Sequence, residues 1–182
     1  MSYDDEAQHI AKAAAGDRMA MHALVVKHSP AIYRLAKRML NRAEDAEDVT
    51  QEAFLRAWKI LPKWKADARF STWLHRVALN LCYDRLRKHR ETLFAEPPDM
   101  ADNTNLQPDA KLQQQQTQIA VKAAIMALPE RQCAALTLTA LQSHTNKEAA
   151  EIMDISVDAL ESLLARARRR LKQDLASMRD KL

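Results

Sequence analysis

Apolar residues recur along most of this chain three and four positions apart, the spacing of one face of an α-helix. Asp5 to Ala14 reads as a short helix ended near Gly16-Asp17. Met19 to His28 reads as a second, and Pro30 as a break or first-turn position before a third, Ala31 to Leu40. Asn41 and the carboxylates Glu44, Asp45, Glu47 and Asp48 mark the next start, because unpaired amides and the helix dipole favour negative charge there. That helix carries Val49, Ala53, Phe54, Ala57 and Trp58 on one face, and Pro62 ends it. Ser71 or Thr72 is the expected cap of a further helix reaching about Arg90.

The periodicity then stops. Residues 91–110, ETLFAEPPDMADNTNLQPDA, contain Pro97, Pro98 and Pro108, five carboxylates and no lysine or arginine. Prolines stop helices, so this stretch reads as a linker between a helical block of residues 1–90 and another of residues 111–182. So acidic a segment would not lie along DNA. It is either a solvated tether or a strand that mimics nucleic-acid charge.

In the second block, Gln113 to Gln118 open a helix whose apolar face is Ile119, Ala123, Ile125, Met126 and Leu128. Leu128-Pro129-Glu130-Arg131 is a corner before a helix with Cys133, Leu136, Leu138 and Leu141. Thr145 and Glu148 then have the spacing of a capping box. Ala149, Ala150, Ile152 and Met153 form the buried side of a short helix, and Asp154-Ile155-Ser156 a tight turn in which aspartate takes the left-handed state. Ser156 can cap the next helix, whose inward face is Val157, Leu160, Leu164 and Ala167. Two short helices with a compact turn predict a helix-turn-helix, its second helix sized for a major groove.

Composition agrees. Gly16 is the only glycine in 182 residues, and helix formers dominate. The expected fold is all-α: two small helical domains joined by an acidic, proline-containing linker, the second with a helix-turn-helix. A glycine-rich phosphate loop is excluded, and Rossmann and Walker readings with it. The net charge of +4 points to nucleic acid only if it clusters. It does: Arg166, Arg168, Arg169, Arg170 and Lys172 follow one another without an intervening acid. Cys82 and Cys133 lack a CxxC partner and read as buried free thiols. No signal peptide or membrane-length apolar run is visible, so a cytoplasmic protein without direct membrane insertion is expected.

Three stretches carry the candidate chemistry. On the last helix, the arginines would grip phosphates, and Ser162 would meet a base edge. Glu161 would either accept from a cytosine amino group or reject a wrong register by its charge. In ARFSTWLHRVALNLCYDRLRKHR, Phe70, Trp73 and Tyr83 interleave with bases, a pattern for stacking on unpaired bases while cations hold the backbone. Phe70 and Trp73 equally suit a core, and Asn80 would satisfy a backbone group or read an exposed base. In DAEDVTQEAFLRAW, Asp45, Asp48 and Glu52 line one side of a helix. Without a histidine at ligand spacing, or a base and nucleophile nearby, they suggest neither a metal site nor a catalytic pair. A solvated helix start or a docking surface for a basic protein remains.

Together these stretches resemble the extracytoplasmic-function group of the sigma-70 family. DAEDVTQEAFLRAW is similar to the region 2 segment that docks on the clamp helices of the largest polymerase subunit. The resemblance implies core-polymerase contacts for Asp45, Asp48, Gln51, Glu52 and Arg56, with Phe54 and Trp58 as scaffold. FSTWLHRVALNLCYDRLRKHR is similar to the part that melts and reads the −10 element, which implies DNA contacts for Arg76, Asn80, Tyr83, Arg85, Arg87 and Lys88. LPERQCAALTLTAL and the helix-turn-helix resemble region 4, which implies −35 contacts for Ser156, Glu161, Ser162, Arg166, Arg169 and Arg170. The family's partners would be bacterial core RNA polymerase, promoter DNA and a cognate anti-sigma factor, membrane-bound or soluble. No cofactor, metal or catalytic residue is implied, because the polymerase makes the bonds.

The chain departs from the family pattern in two places. Asp154 stands where many members have glycine. Ala159-Leu160-Glu161-Ser162-Leu163 stands where many have threonine-valine-lysine-serine-arginine, so two common cationic contacts are missing. Two other functions compete: a helix-turn-helix regulator that is not a polymerase subunit, and a helical sigma mimic that binds an anti-sigma factor. The first leaves DAEDVTQEAFLRAW unexplained, and the second leaves the arginines without a role.

Overall fold

The computed structural model describes residues 3–64, 69–95 and 120–179, all of it helix, turn or short connection. Helices α1 (Tyr3–Ala14), α2 (Arg18–Leu40), α3 (Ala43–Ile60) and α4 (Phe70–Ala95) form an N-terminal unit. Helical residues 120–126, here α5, begin the described part of a C-terminal unit. It continues through α6 (Glu130–Leu136), a π-helical turn (Thr137–Leu141), α7 (Asn146–Met153) and α8 (Val157–Arg179). The proline-rich part of the expected linker and the Gln113 to Gln118 helix start lie outside the described residues.

The expected break at Pro30 does not occur. Helix α2 runs unbroken through it. Interior proline costs about 3 kcal/mol by deleting a hydrogen bond and crowding the preceding turn. Pro30 is exposed, while Leu24, His28, Ile32 and Leu35 are buried on the other face. Burial worth roughly 1.5–3 kcal/mol per large apolar side chain outweighs the lost bond. Helix α2 stops where Asn41 turns left-handed (φ 59°) and its N–H bonds the Lys37 carbonyl.

The start of α4 also differs from expectation. Neither Ser71 nor Thr72 caps it: the helix begins at Phe70, and the Trp73 N–H reaches the Arg69 carbonyl at 3.1 Å. Phe70 is buried against His28, Trp64 and Trp73, with ring centroids 5.5 to 6.3 Å apart, and this anchor sets the first turn. The stretch expected to end near Arg90 continues in helix to Ala95.

In the C-terminal unit the local rules hold. Thr145 Oγ1 accepts from the Glu148 N–H and the Glu148 side chain accepts from the Thr145 N–H, closing the capping box. Asp154 ends α7 in the left-handed state (φ 54°, ψ 50°), and the Ile155 N–H returns to the Ala150 carbonyl at 3.1 Å. Ser156 Oγ caps α8 through the Ala159 N–H at 3.1 Å. Leu160, Leu164 and Ala167 bury the inner face of α8 against α6 and α7, whereas Val157, expected on that face, sits in the first turn and is 39% exposed. The buried side chains of both units belong to one continuous apolar cluster.

Candidate nucleic-acid and polymerase interface

The acidic face of α3 is where the periodicity puts it. Val49, Ala53, Phe54 and Ala57 face the core, and Phe54 and Trp58 pack together at 5.7 Å. Gln51 and Arg56 are exposed, and Glu52 is partly so. Arg56 Nε donates to Glu52 at 2.8 Å, which holds the Glu52 carboxyl below its usual range. Leu55 is 52% exposed amid these polar groups, an apolar side chain that a docking partner would cover. Periodicity missed it; a leucine on the polar face was the available signal.

Arg85 ties this face to the candidate DNA helix. Its guanidinium lies 3.0 Å from Asp45 and 3.3 Å from Asp48. The sequence assigned these three residues to two surfaces. The fold makes the surfaces adjacent and shares one ion-pair cluster between them.

Along α4, Asn80, Arg87 and Lys88 are exposed. Arg87 pairs with Asp84 at 2.9 Å. Phe70 is buried and Trp73 half-buried in the aromatic cluster, the core reading of both. Arg76 and Tyr83 instead face the C-terminal unit. Arg76 Nη2 donates to the Glu151 carbonyl and lies 3.7 Å from Asp154. The Tyr83 hydroxyl is buried with no hydrogen-bond partner among the described residues, and burial pushes it up to about 12.

Other contacts fasten the same seam. Arg69 meets Glu148 at 3.2 Å, Arg90 meets Glu130 at 2.9 Å, and Gln142 Nε2 donates to the Ala31 carbonyl at 2.8 Å. The His75 and His144 rings meet edge to face, centroids 4.9 Å apart. His75 Nδ1 donates to the Ser71 carbonyl at 2.7 Å. Burial drives His75 down to about 4. Cys82 and Cys133 are buried free thiols; burial raises Cys82 to about 12 and raises Cys133 as well. Such thiols are poor nucleophiles at neutral pH.

The outer face of α8 is open. Glu161, Ser162, Arg166, Arg169 and Arg170 are all exposed. Glu161 accepts from Asn146 Nδ2 at 3.2 Å, so α7 orients it. Arg170 lies 3.8 Å from Asp174, while Ser156 spends its hydroxyl on the cap. A capped helix braced by a second across a left-handed corner, with cations on its solvent side, defines a helix-turn-helix DNA-binding protein.

Residues 24–92 match Sigma-70 region 2, and residues 118–171 match Sigma-70 region 4. The ECF RNA polymerase sigma factor SigM of Mycobacterium tuberculosis (strain H37Rv) is 35% identical over 169 residues, covering 91% of this chain and 82% of the relative. The RNA polymerase sigma-H factor of Pseudomonas aeruginosa is 27% identical over 185 residues, with 96% of each chain covered. The structure of CnrH in complex with the cytosolic domain of CnrY superposes with a TM-score of 0.69 at 27% identity, covering 93% of this chain and 96% of that one. The chain belongs to the sigma-70 family, in its extracytoplasmic-function group. It is a sigma factor: it binds core RNA polymerase and directs promoter recognition and transcription initiation.

Proposed function

We propose that the two units divide the work of promoter recognition. Residues 1–90 engage core polymerase and the −10 element, residues 91–110 link, and residues 111–182 engage the −35 element. Core polymerase docks on the α3 face through Asp45, Asp48, Gln51, Glu52 and Arg56. The −10 strand is held by Arg76, Asn80, Tyr83, Arg85, Arg87 and Lys88. The −35 duplex meets Ser162, Arg166, Arg169 and Arg170, with Ser156 and Glu161 at the leading end of α8. The chain itself catalyses nothing; the polymerase forms the phosphodiester bonds.

The observation that carries this reading is the exposed cationic face of α8, braced from behind by Leu160, Leu164 and Ala167. Arg76 is engaged, and Tyr83 partly covered, by the C-terminal unit, so in this reading full −10 contact calls for the two units to part. The solved neighbour CnrH is in complex with the cytosolic domain of CnrY, and an anti-sigma factor, soluble or membrane-bound, is the expected inhibitor here. No described helix is long and apolar enough to cross a membrane, which suits a cytoplasmic protein held at the membrane only through such a partner.

The test is transcription by purified bacterial core polymerase on a promoter library, with and without this protein. Start sites that depend on it and share −35 and −10 elements are expected. Native protein that directs no initiation in the absence of an inhibitor would sink the assignment.

A further inference from the structure

A recess of about 380 Å³ lies between α2 and the C-terminal unit. Arg34, Lys37 and Arg38 line it from α2, and Lys122 lines it from α5. Tyr33, Met126 and Leu141 provide apolar wall, and Asn41 and Gln142 provide amide groups. Among the described residues, no carboxylate lines it. Among the described residues, none of the four cations has an ion pair, whereas Arg56, Arg69, Arg85 and Arg90 all do.

Arg34, Lys37 and Arg38 stand at i, i+3 and i+4, where like charges repel. The helix dipole favours cations in the last turn of α2 and so accounts for Lys37 and Arg38. It accounts neither for Arg34, a turn earlier, nor for Lys122, which the fold brings from the other unit. Four cations around one apolar-walled recess are a site for concentrated negative charge. Its volume lies at the lower end of the roughly 300–1,000 Å³ usual for small-ligand pockets. An α-helical peptide, about 10–12 Å across with its side chains, is a poor fit. A DNA duplex, which carries its phosphates on a convex rod, suits a ridge such as α8 better than a recess.

We propose that this recess binds a small phosphorylated ligand of the nucleoside di- or triphosphate class. The phosphates sit among Arg34, Lys37, Arg38 and Lys122, and the base lies against Tyr33, Met126 and Leu141. Since the ligand touches both units, it binds the closed arrangement in preference to the open one. Occupancy therefore ties the units together. At ligand levels about a hundredfold above Kd, the closed form gains about a hundredfold over the open form.

The test titrates full-length protein with ATP and GTP by calorimetry, with inorganic pyrophosphate as the phosphate-only probe and adenosine as the base-only probe. One-to-one nucleotide binding is expected, with pyrophosphate weaker and adenosine silent at millimolar concentration. Arg34→Gln and Lys122→Gln change exposed side chains, one in each unit. Each should weaken nucleotide binding about tenfold, the size of a charged hydrogen bond, with an unchanged circular-dichroism spectrum. X-ray scattering should show nucleotide counteracting the expansion that Asp154→Asn produces. No binding of any phosphorylated probe to folded wild type overturns the proposal. So does binding that both variants leave intact, or binding that only Arg169→Gln removes, which would put the anion on α8.

Discussion

The Arg76 guanidinium of α4 lies 3.7 Å from the Asp154 carboxylate at the corner of the helix-turn-helix, and it also donates to the Glu151 carbonyl. In the proposed reading, a residue assigned to the −10 strand thus holds the element assigned to −35. One contact occupies the first and restrains the second. Under that assignment, the two units must separate before both promoter elements can be read together.

Asp154→Asn should loosen that rest state without removing any proposed DNA contact. Exposed ion pairs are worth roughly 0.2–1 kcal/mol, so the open fraction should rise up to about fivefold. Scattering from the free protein would register the expansion, and binding to a −10 single strand would strengthen by a similar factor. Unchanged binding and dimensions would mean that Arg76 does not restrain the corner.

Acidification should destabilise the closed fold through His75. Its folded pKa, about 4, lies below the ordinary 6.5, because burial disfavours the cation and His144 and His28 add repulsion. A depressed histidine pKa means the unfolded chain binds the proton more readily. The stabilisation is therefore complete above pH 6.5 and lost as pH falls toward 4, by up to about 1.4 kcal/mol per unit. His28 and His144 are lowered by burial too and act in the same direction. Glu6 opposes at His28, while the Ser71 carbonyl and Gln142 oppose at His75. Urea melts from pH 7 to 5 would show the decline, and His75→Gln should flatten it.

Arg169→Ala should weaken duplex binding almost equally on all sequences and reduce the salt slope by about one. Glu161→Ala is expected to change which −35 sequences are preferred, because the carboxylate is held in place by Asn146 at the leading end of α8. Titrations of a −35 duplex series at several salt concentrations separate the two effects.

Glu52→Arg should abolish assembly with core polymerase while leaving −35 duplex binding intact. It reverses the charge on the α3 face and breaks the 2.8 Å bond to Arg56. Retained co-migration with core polymerase on size exclusion would refute the docking assignment.

Local features were legible in the sequence and distant pairings were not. Thr145 and Glu148 announce a capping box because both partners lie within one turn. Asp154 was readable as a left-handed residue because few side chains accept that state. Pro30 misled because its cost is local, whereas the packing that outweighs it comes from other helices. The Arg76–Asp154 and His75–His144 contacts join units separated by the linker, and no periodicity encodes them. The cations around the recess were visible only in part, as the RLAKR spacing of α2; Lys122 joins them through the fold alone.

Glu148 serves two neighbours at once, closing the Thr145 cap and meeting Arg69 at 3.2 Å. Only the second bond crosses between units. When they part, the carboxylate keeps its cap and α7 keeps its first turn. Separation of the units would therefore leave the Thr145 cap in place. In the proposed reading, the C-terminal unit would then meet the promoter with the first turn of α7 already capped.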